Sequence, residues 1–247
     1  MKHILLCIIT LSAVTPLRAE ILNVAVASNF AYTLKLLSDD FNKQTGHQLR
    51  VSSASTGKLY AQIHHGAPFD VFLSADEKRP ELLVSENKAE PATAYVYAQG
   101  QIVLMSNIVS GNSCQDVLSS SELKRLSIAN PKTAPYGVAA KQVMERLDLW
   151  QRLQPRLVKG ENIAQTLQFV STRNAQAGFI AKSMLQMGKK IEHACVWDVP
   201  TDMYSPINQK MVVLNKAKDK ASARAFASYM RADAAKEIIK STGYDVM

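Results

Sequence analysis

Short apolar runs of strand length alternate with helix-patterned segments from residue 22 to the end of this 247-residue chain. Residues 22–27 (LNVAVA) read as a buried strand, and the segment after it puts Phe30, Leu34, Leu37 and Phe41 on one helical face. Gly46 ends that helix, a second strand follows at 48–52, and a polar turn at 53–57 leads into a helix over 58–65. A short strand at 70–73 (DVFL) and a helix over 76–85 complete the first half. The rhythm returns with strands at 101–105 (QIVLM) and 126–128, a helix over 135–147 with proline in its first turn, and a helix over 163–172. Then come a strand at 177–180, a helix near 181–187, strands near Cys195 and at 211–214 (MVVL), and closing helices over 222–230 and 232–241. Alternation on this scale predicts α/β layers with a largely parallel sheet. No internal repeat and no low-complexity linker interrupts it. Two α/β domains joined by crossing strands, around 95–101 and 204–210, are therefore expected.

The first residues bear on compartment. Lys2 and His3 precede an apolar run over 4–14, Pro16 breaks it, and Leu17-Arg18-Ala19 stands before Glu20. A basic start, an apolar core too short for a bilayer and a small final residue describe a secretory signal peptide over 1–19, cut after Ala19. An exported protein of 228 residues would remain. Its cysteines are Cys114 and Cys195, which could pair in an oxidising compartment if their Cα atoms come close. The formal charge of +8 falls to +6 without Lys2 and Arg18. Lysine and arginine are scattered rather than clustered into a basic stripe, which argues against nucleic-acid binding.

Hydroxyl, amide and glycine residues fall at strand ends. Ala27-Ser28-Asn29 follows the first strand and Ser53-Ala54-Ser55-Thr56-Gly57 the second, each directly before a helix. Ligands of open α/β sheets sit at the carboxyl ends of strands, where helix N-termini offer unpaired N–H groups to an anion. Serine, threonine and asparagine are also the preferred helix caps, so capping and anion binding both remain open here. Enzyme readings fare worse. Ser55-Thr56-Gly57-Lys58 matches the Ser-x-x-Lys of serine β-lactamases, and Lys132-Thr133-Ala134 approaches their Lys-Thr-Gly, but Ser-Asp-Asn is missing and Ala134 replaces the glycine. No Gly-x-Ser-x-Gly, GxGxxG or P-loop occurs, and adjacent His64 and His65 diverge on a helix and cannot form a zinc pair. Asp70 and Asp76 resemble metal ligands or an acid–base pair, yet a carboxylate facing an oxyanion in a dry cleft would repel it. Both are read as structural, with neither an enzyme activity nor a metal site expected.

With these segments in view, the chain resembles the periplasmic molybdate-binding proteins of ABC importers. The likeness is carried by Val26-Ala27-Ser28-Asn29, by 54–63 (ASTGKLYAQI), by 66–76 (GAPFDVFLSAD), by Asn130-Pro131 with Pro135-Tyr136-Gly137, and by Gly160-Glu161-Asn162-Ile163. The resemblance implies a type II periplasmic binding protein fold: one lobe from 20–98 plus 207–247, another from 99–206, hinged by crossing strands. It implies a monomer that captures molybdate, and tungstate with it, through hydroxyl and backbone N–H donors for delivery to an inner-membrane ABC permease, with no cofactor. By position, Ser28, Asn29, Ser55 or Thr56, Tyr136 and Ile163 would line the site. Some members place a tyrosine where this chain has Ala181; others use the position of Tyr136, whose phenol is expected to replace it. Sulfate, phosphate or chromate binding is the alternative, with serine hydrolysis at Ser55-x-x-Lys58 a distant one.

Overall fold

The computed structural model describes residues 19–187 and 191–246; the expected signal peptide, apart from Ala19, lies outside the described residues. The chain begins with β1 (Ile21–Ala27), a 3-10 turn (Ser28–Phe30) and α1 (Ala31–Thr45), then β2 (Gln48–Ala54), α2 (Thr56–His64), β3 (Val71–Leu73) and α3 (Lys78–Ser85). After β4 (Tyr95–Gly100) a single residue, Gln101, leads into β5 (Ile102–Ser106). There follow β6 (Leu126–Ala129), α4 (Pro135–Arg146), the short α5 (Trp150–Leu153), β7 (Leu157–Gly160), α6 (Ile163–Ser171), β8 (Ala177–Ala181) and β9 (Cys195–Asp198). β10 (Ile207–Val213), α7 (Lys220–Tyr229) and α8 (Asp233–Ser241) end the chain.

These strands form two five-stranded sheets, ordered β2-β1-β3-β10-β4 and β7-β6-β8-β5-β9. In the first, β1 runs parallel to β2 and β3 while β10 opposes both β3 and β4. In the second, β6 runs parallel to β7 and β8, and β5 opposes β8 and β9. The expectation of a largely parallel sheet is thus corrected to two mixed sheets. The physical reason is the crossing: β4 leaves and β10 re-enters the first sheet as adjacent antiparallel strands.

Helices cover both faces. Phe30, Leu34, Leu37 and Phe41 of the first helical face are wholly buried against β1 and the C-terminal helices. Full burial of each such side chain contributes about 1.5–3 kcal/mol. Gly46 stops α1 in the left-handed conformation (φ 75°), its N–H bonding Asn42 O at 2.8 Å. The core under the second sheet draws in Ala27 and Ala75 from the first sheet's strand ends, so apolar packing crosses between the halves. The α-helix expected near 181–187 is a 3-10 segment, Lys182–Gln186. Lys182 N–H is held by Gln101 O at 2.9 Å and Ser183 Oγ by the Tyr244 hydroxyl at 2.9 Å, which pins this stretch to the hinge. Cys114 and Cys195 are joined in a disulfide, with Cα atoms 5.6 Å apart.

Candidate functional site

Four strands end at one place. β1 delivers the Ser28–Phe30 turn, β2 delivers α2, β6 leads through 130–134 into α4, and β7 leads into α6. The N-terminal part of α6, in the second half, packs against the Ser28–Phe30 turn of the first. Between these ends lies a small pocket, lined by Ala27, Ser28, Asn29, Ser55, Thr56 and Ala75 from one side and Ala134, Pro135, Tyr136 and Ile163 from the other. All six residues expected at the site line it, and among the described residues none of its lining side chains is charged.

Local geometry separates their roles. Ser55 is the N-cap of α2 but makes no side-chain capping bond; its hydroxyl is buried and has no partner. A buried donor left unpaired costs about 1–3 kcal/mol, so capping does not account for this serine. The neighbouring Thr56 differs: its Oγ1 accepts the Ala75 N–H at 3.1 Å. Ser28 starts the 3-10 turn at 8% exposure, again without a side-chain cap. Ile163 opens α6, where Asn162 Oδ1 caps by accepting the Gln165 N–H at 3.1 Å. The first-turn N–H groups of Ile163 and Ala164 then have no intrahelical partner. Tyr136 sits in the first turn of α4, which Pro135 starts. Gly137 lets that turn lie on β6, since a Cβ there would fall 2.2 Å from Ala129 O.

Asn29 lines the pocket from the Ser28–Phe30 turn. Its side-chain nitrogen is committed elsewhere, with Nδ2 donating to Gln209 Oε1 at 2.8 Å and to the Tyr244 hydroxyl at 3.0 Å, while its Oδ1 is buried without a partner. Tyr244 returns a bond to Asn29 O at 2.8 Å. Tyr97, Tyr136, Ser183 and Gln209 extend this buried polar cluster behind the cavity. Burial, with the phenols of Tyr244, Tyr97 and Tyr204 around it and a hydrogen bond with Tyr244, raises the Tyr136 pKa well above that of an ordinary phenol, so it stays a neutral donor. Sequence reasoning missed Gln209, Tyr97, Tyr244 and Ser183, because nothing in spacing links positions separated by up to 215 residues.

The carboxylates face away from this chemistry. Asp70 takes the N–H groups of Asn23 and Lys218, both at 2.7 Å, and staples β3 to the first strand and the last loop. Asp76 accepts the Arg79 N–H at 3.0 Å and pairs with its guanidinium. Among the described residues no cluster of three metal-ligating side chains occurs. Lys58 bonds Glu161 rather than the Ser55 hydroxyl, so Ser55 has no base against it. That Lys58–Glu161 pair joins the two halves at the rim, and Gly57 N–H donates to Thr133 O at 2.8 Å beside it. The cleft is closed.

Comparison with known proteins gives a consistent result. The family model for bacterial extracellular solute-binding proteins matches residues 22–245. A molybdate-binding protein of Azotobacter vinelandii is 43% identical over 228 residues, covering 92% of this chain and 90% of the relative. One from Rhodobacter capsulatus is 40% identical, covering 89% and 86%. The solved structure of an Azotobacter vinelandii periplasmic molybdate-binding protein superposes with a TM-score of 0.86 at 38% identity, covering 92% of this chain and 99% of that one.

Proposed function

The chain belongs to the family of bacterial extracellular solute-binding proteins, and from that premise we propose that it captures molybdate in the closed cavity and presents it to an ABC permease from the periplasm. Tungstate, of nearly the same size and charge, would bind alongside. The observation that carries the reading is the Ser55 hydroxyl: buried, uncapping and unpartnered, in a cavity lined by no charged side chain.

The mechanism rests on neutral donors. The hydroxyls of Ser28, Ser55 and Tyr136 and the N–H groups at the starts of α2 and α6 converge on one ion, helped by the partial positive charge of helix N-termini. Each hydrogen bond to an ionised acceptor contributes roughly 1.5–3 kcal/mol. Several together, less desolvation and closure, reach about −10 to −12 kcal/mol, which is sub-micromolar to nanomolar affinity. Donors held at fixed spacing discriminate by size, since a smaller sulfate cannot reach all of them at once. A lining without carboxylates also offers no charged acceptor to a protonated anion. The lobes 20–98 with 207–247, and 99–206, close as a hinge because the anion bridges both.

Titration calorimetry of the anion-stripped mature protein tests this. One-to-one molybdate binding below micromolar, with sulfate nearly silent, is expected. Equal affinity for sulfate, or no heat and no thermal stabilisation with molybdate, would overturn it.

A further inference from the structure

Gly57 is the second residue of α2, after Thr56 and the N-cap Ser55. Its backbone does not require glycine, because its φ is not positive, in contrast to that of Gly46. Glycine is the poorest helix former after proline, so the position carries a local cost. The missing side chain is used by the other half of the molecule. A Cβ on Gly57 would lie 3.0 Å from Thr133 Cα and 3.1 Å from both Thr133 O and Arg79 Nη2.

The guanidinium ends a flexible side chain and can swing away, whereas the Thr133 backbone is fixed in the second half. The N–H groups of Thr133 and Ala134 both bond Asn130 O, at 3.0 and 2.9 Å, and Asn130 N–H bonds Gly160 O at 2.9 Å. α2 is no freer, since Leu59 and Ile63 are buried against strands of the first sheet. An overlap between Gly57 and Thr133 is therefore relieved by moving one half away from the other. Gly57 N–H donates to that same Thr133 carbonyl at 2.8 Å, so it serves the other half rather than an anion. The contact also lies beside the pocket: Ser55 and Thr56 line it just before Gly57, and Ala134 and Pro135 just after Thr133.

We infer that Gly57 is a positioning residue for capture: its missing side chain admits the Thr133 backbone, its N–H bonds it, and together they set how closely the halves meet beside the pocket. This rests on the oxyanion reading above, in which the halves part to admit and release the ion. A side chain at this position then acts against the closed state and leaves the open, anion-free protein undisturbed.

The test uses the full mature protein and two readouts, calorimetric titration with molybdate and urea unfolding without the anion. Gly57→Ala is expected to weaken binding about tenfold, as overpacking of a fixed contact does. The anion-free unfolding midpoint should stay or rise, because alanine is the better helix former. The weakening should persist alongside Arg79→Ala, which removes the guanidinium. Binding within about twofold of the wild type, the range of an inconsequential substitution, would overturn the inference, since the halves would then close over a Cβ. A fall in anion-free stability that matches the loss of affinity would also overturn it, placing the disturbance inside the first half. So would a loss that disappears alongside Arg79→Ala, which would place the overlap on the guanidinium. If Gly57→Ala does not melt cooperatively, Gly57→Ser takes its place with the same affinity criteria. A wild type that fails to bind molybdate overturns the functional reading as well, whereas wild-type binding with Gly57→Ala unchanged removes this inference alone.

Discussion

Two adjacent hydroxyls show how differently neighbouring residues are used. Ser55 Oγ has no partner, whereas Thr56 Oγ1 holds the Ala75 N–H. Ser55→Ala should therefore weaken molybdate binding by about 1.5–3 kcal/mol while leaving the anion-free protein as stable or slightly more so. Thr56→Ala should cost about 1–3 kcal/mol of stability by stranding a buried N–H. Calorimetry and urea unfolding of both variants separate the cases, and a Thr56→Ala protein of unchanged stability would refute the assignment. Tyr136→Phe should weaken binding by about 1–3 kcal/mol; an unchanged dissociation constant would show that the phenol is not a ligand. Gly100→Ala should act on the same group from behind, displacing the phenol by steric overlap, with its effect largely relieved in the Tyr136→Phe background.

At the scale of elements, the candidate site is an arrangement of helix and turn starts, two of which are linked by an ion pair at the rim, while a disulfide braces the second half away from it. The Lys58–Glu161 pair links the start of α2 to the loop before α6, with about half of each side chain exposed. Exposed pairs are worth roughly 0–1 kcal/mol. Glu161→Gln is accordingly expected to speed molybdate release by less than about fivefold in stopped-flow measurements, with the difference vanishing at about 1 M salt, where the Debye length is near 3 Å. A difference that persists at that salt would mean the pair is not what slows release. The Cys114–Cys195 disulfide ties the 3-10 segment Cys114–Ser119 to β9 across 81 residues of sequence. Closing a loop of that length in the unfolded chain is worth about 4–5 kcal/mol in the chain-entropy model, and about 2–4 in typical measurements. Reduction, or replacement of both cysteines by serine, should lower the unfolding free energy by about that amount, and an unchanged midpoint would contradict it.

For the molecule as a whole, the buried phenols make a pH-dependent contribution. Burial raises the pKa of Tyr97 and Tyr136 well above the ordinary value and that of Tyr244 to about 12. The folded state therefore keeps protons that the unfolded chain releases near pH 10. These groups contribute their full stabilisation below about pH 10 and lose it as pH rises toward the folded values, with a slope of up to ~1.4 kcal/mol per pH unit for each phenol. Urea unfolding at pH 9, 10 and 11 should show this decline, and Tyr244→Phe should make it shallower. A flat profile would mean the phenols ionise alike in both states.

The alternation of apolar runs and helical faces, read from residues alone, determined the α/β class and the positions of most elements, because burial on one face imposes a period that local sequence displays. The clusters at strand ends likewise singled out Ser28, Asn29, Ser55 and Thr56, and the family resemblance added Tyr136 and Ile163. Tertiary structure decided what periodicity does not encode. Strand direction depends on how β4 and β10 cross between the sheets, so the mixed topology was hidden. Ser55 and Thr56 became distinguishable only when the Ala75 N–H arrived from β3's far end to claim one of them. Cys114 and Cys195 could be paired only once their separation was known. The Gln209 cluster joins residues from β4, β10, the first turn, α4 and the chain's end. A hydrogen bond needs partners within about 3 Å, and no local signal in the sequence records a meeting between positions so far apart.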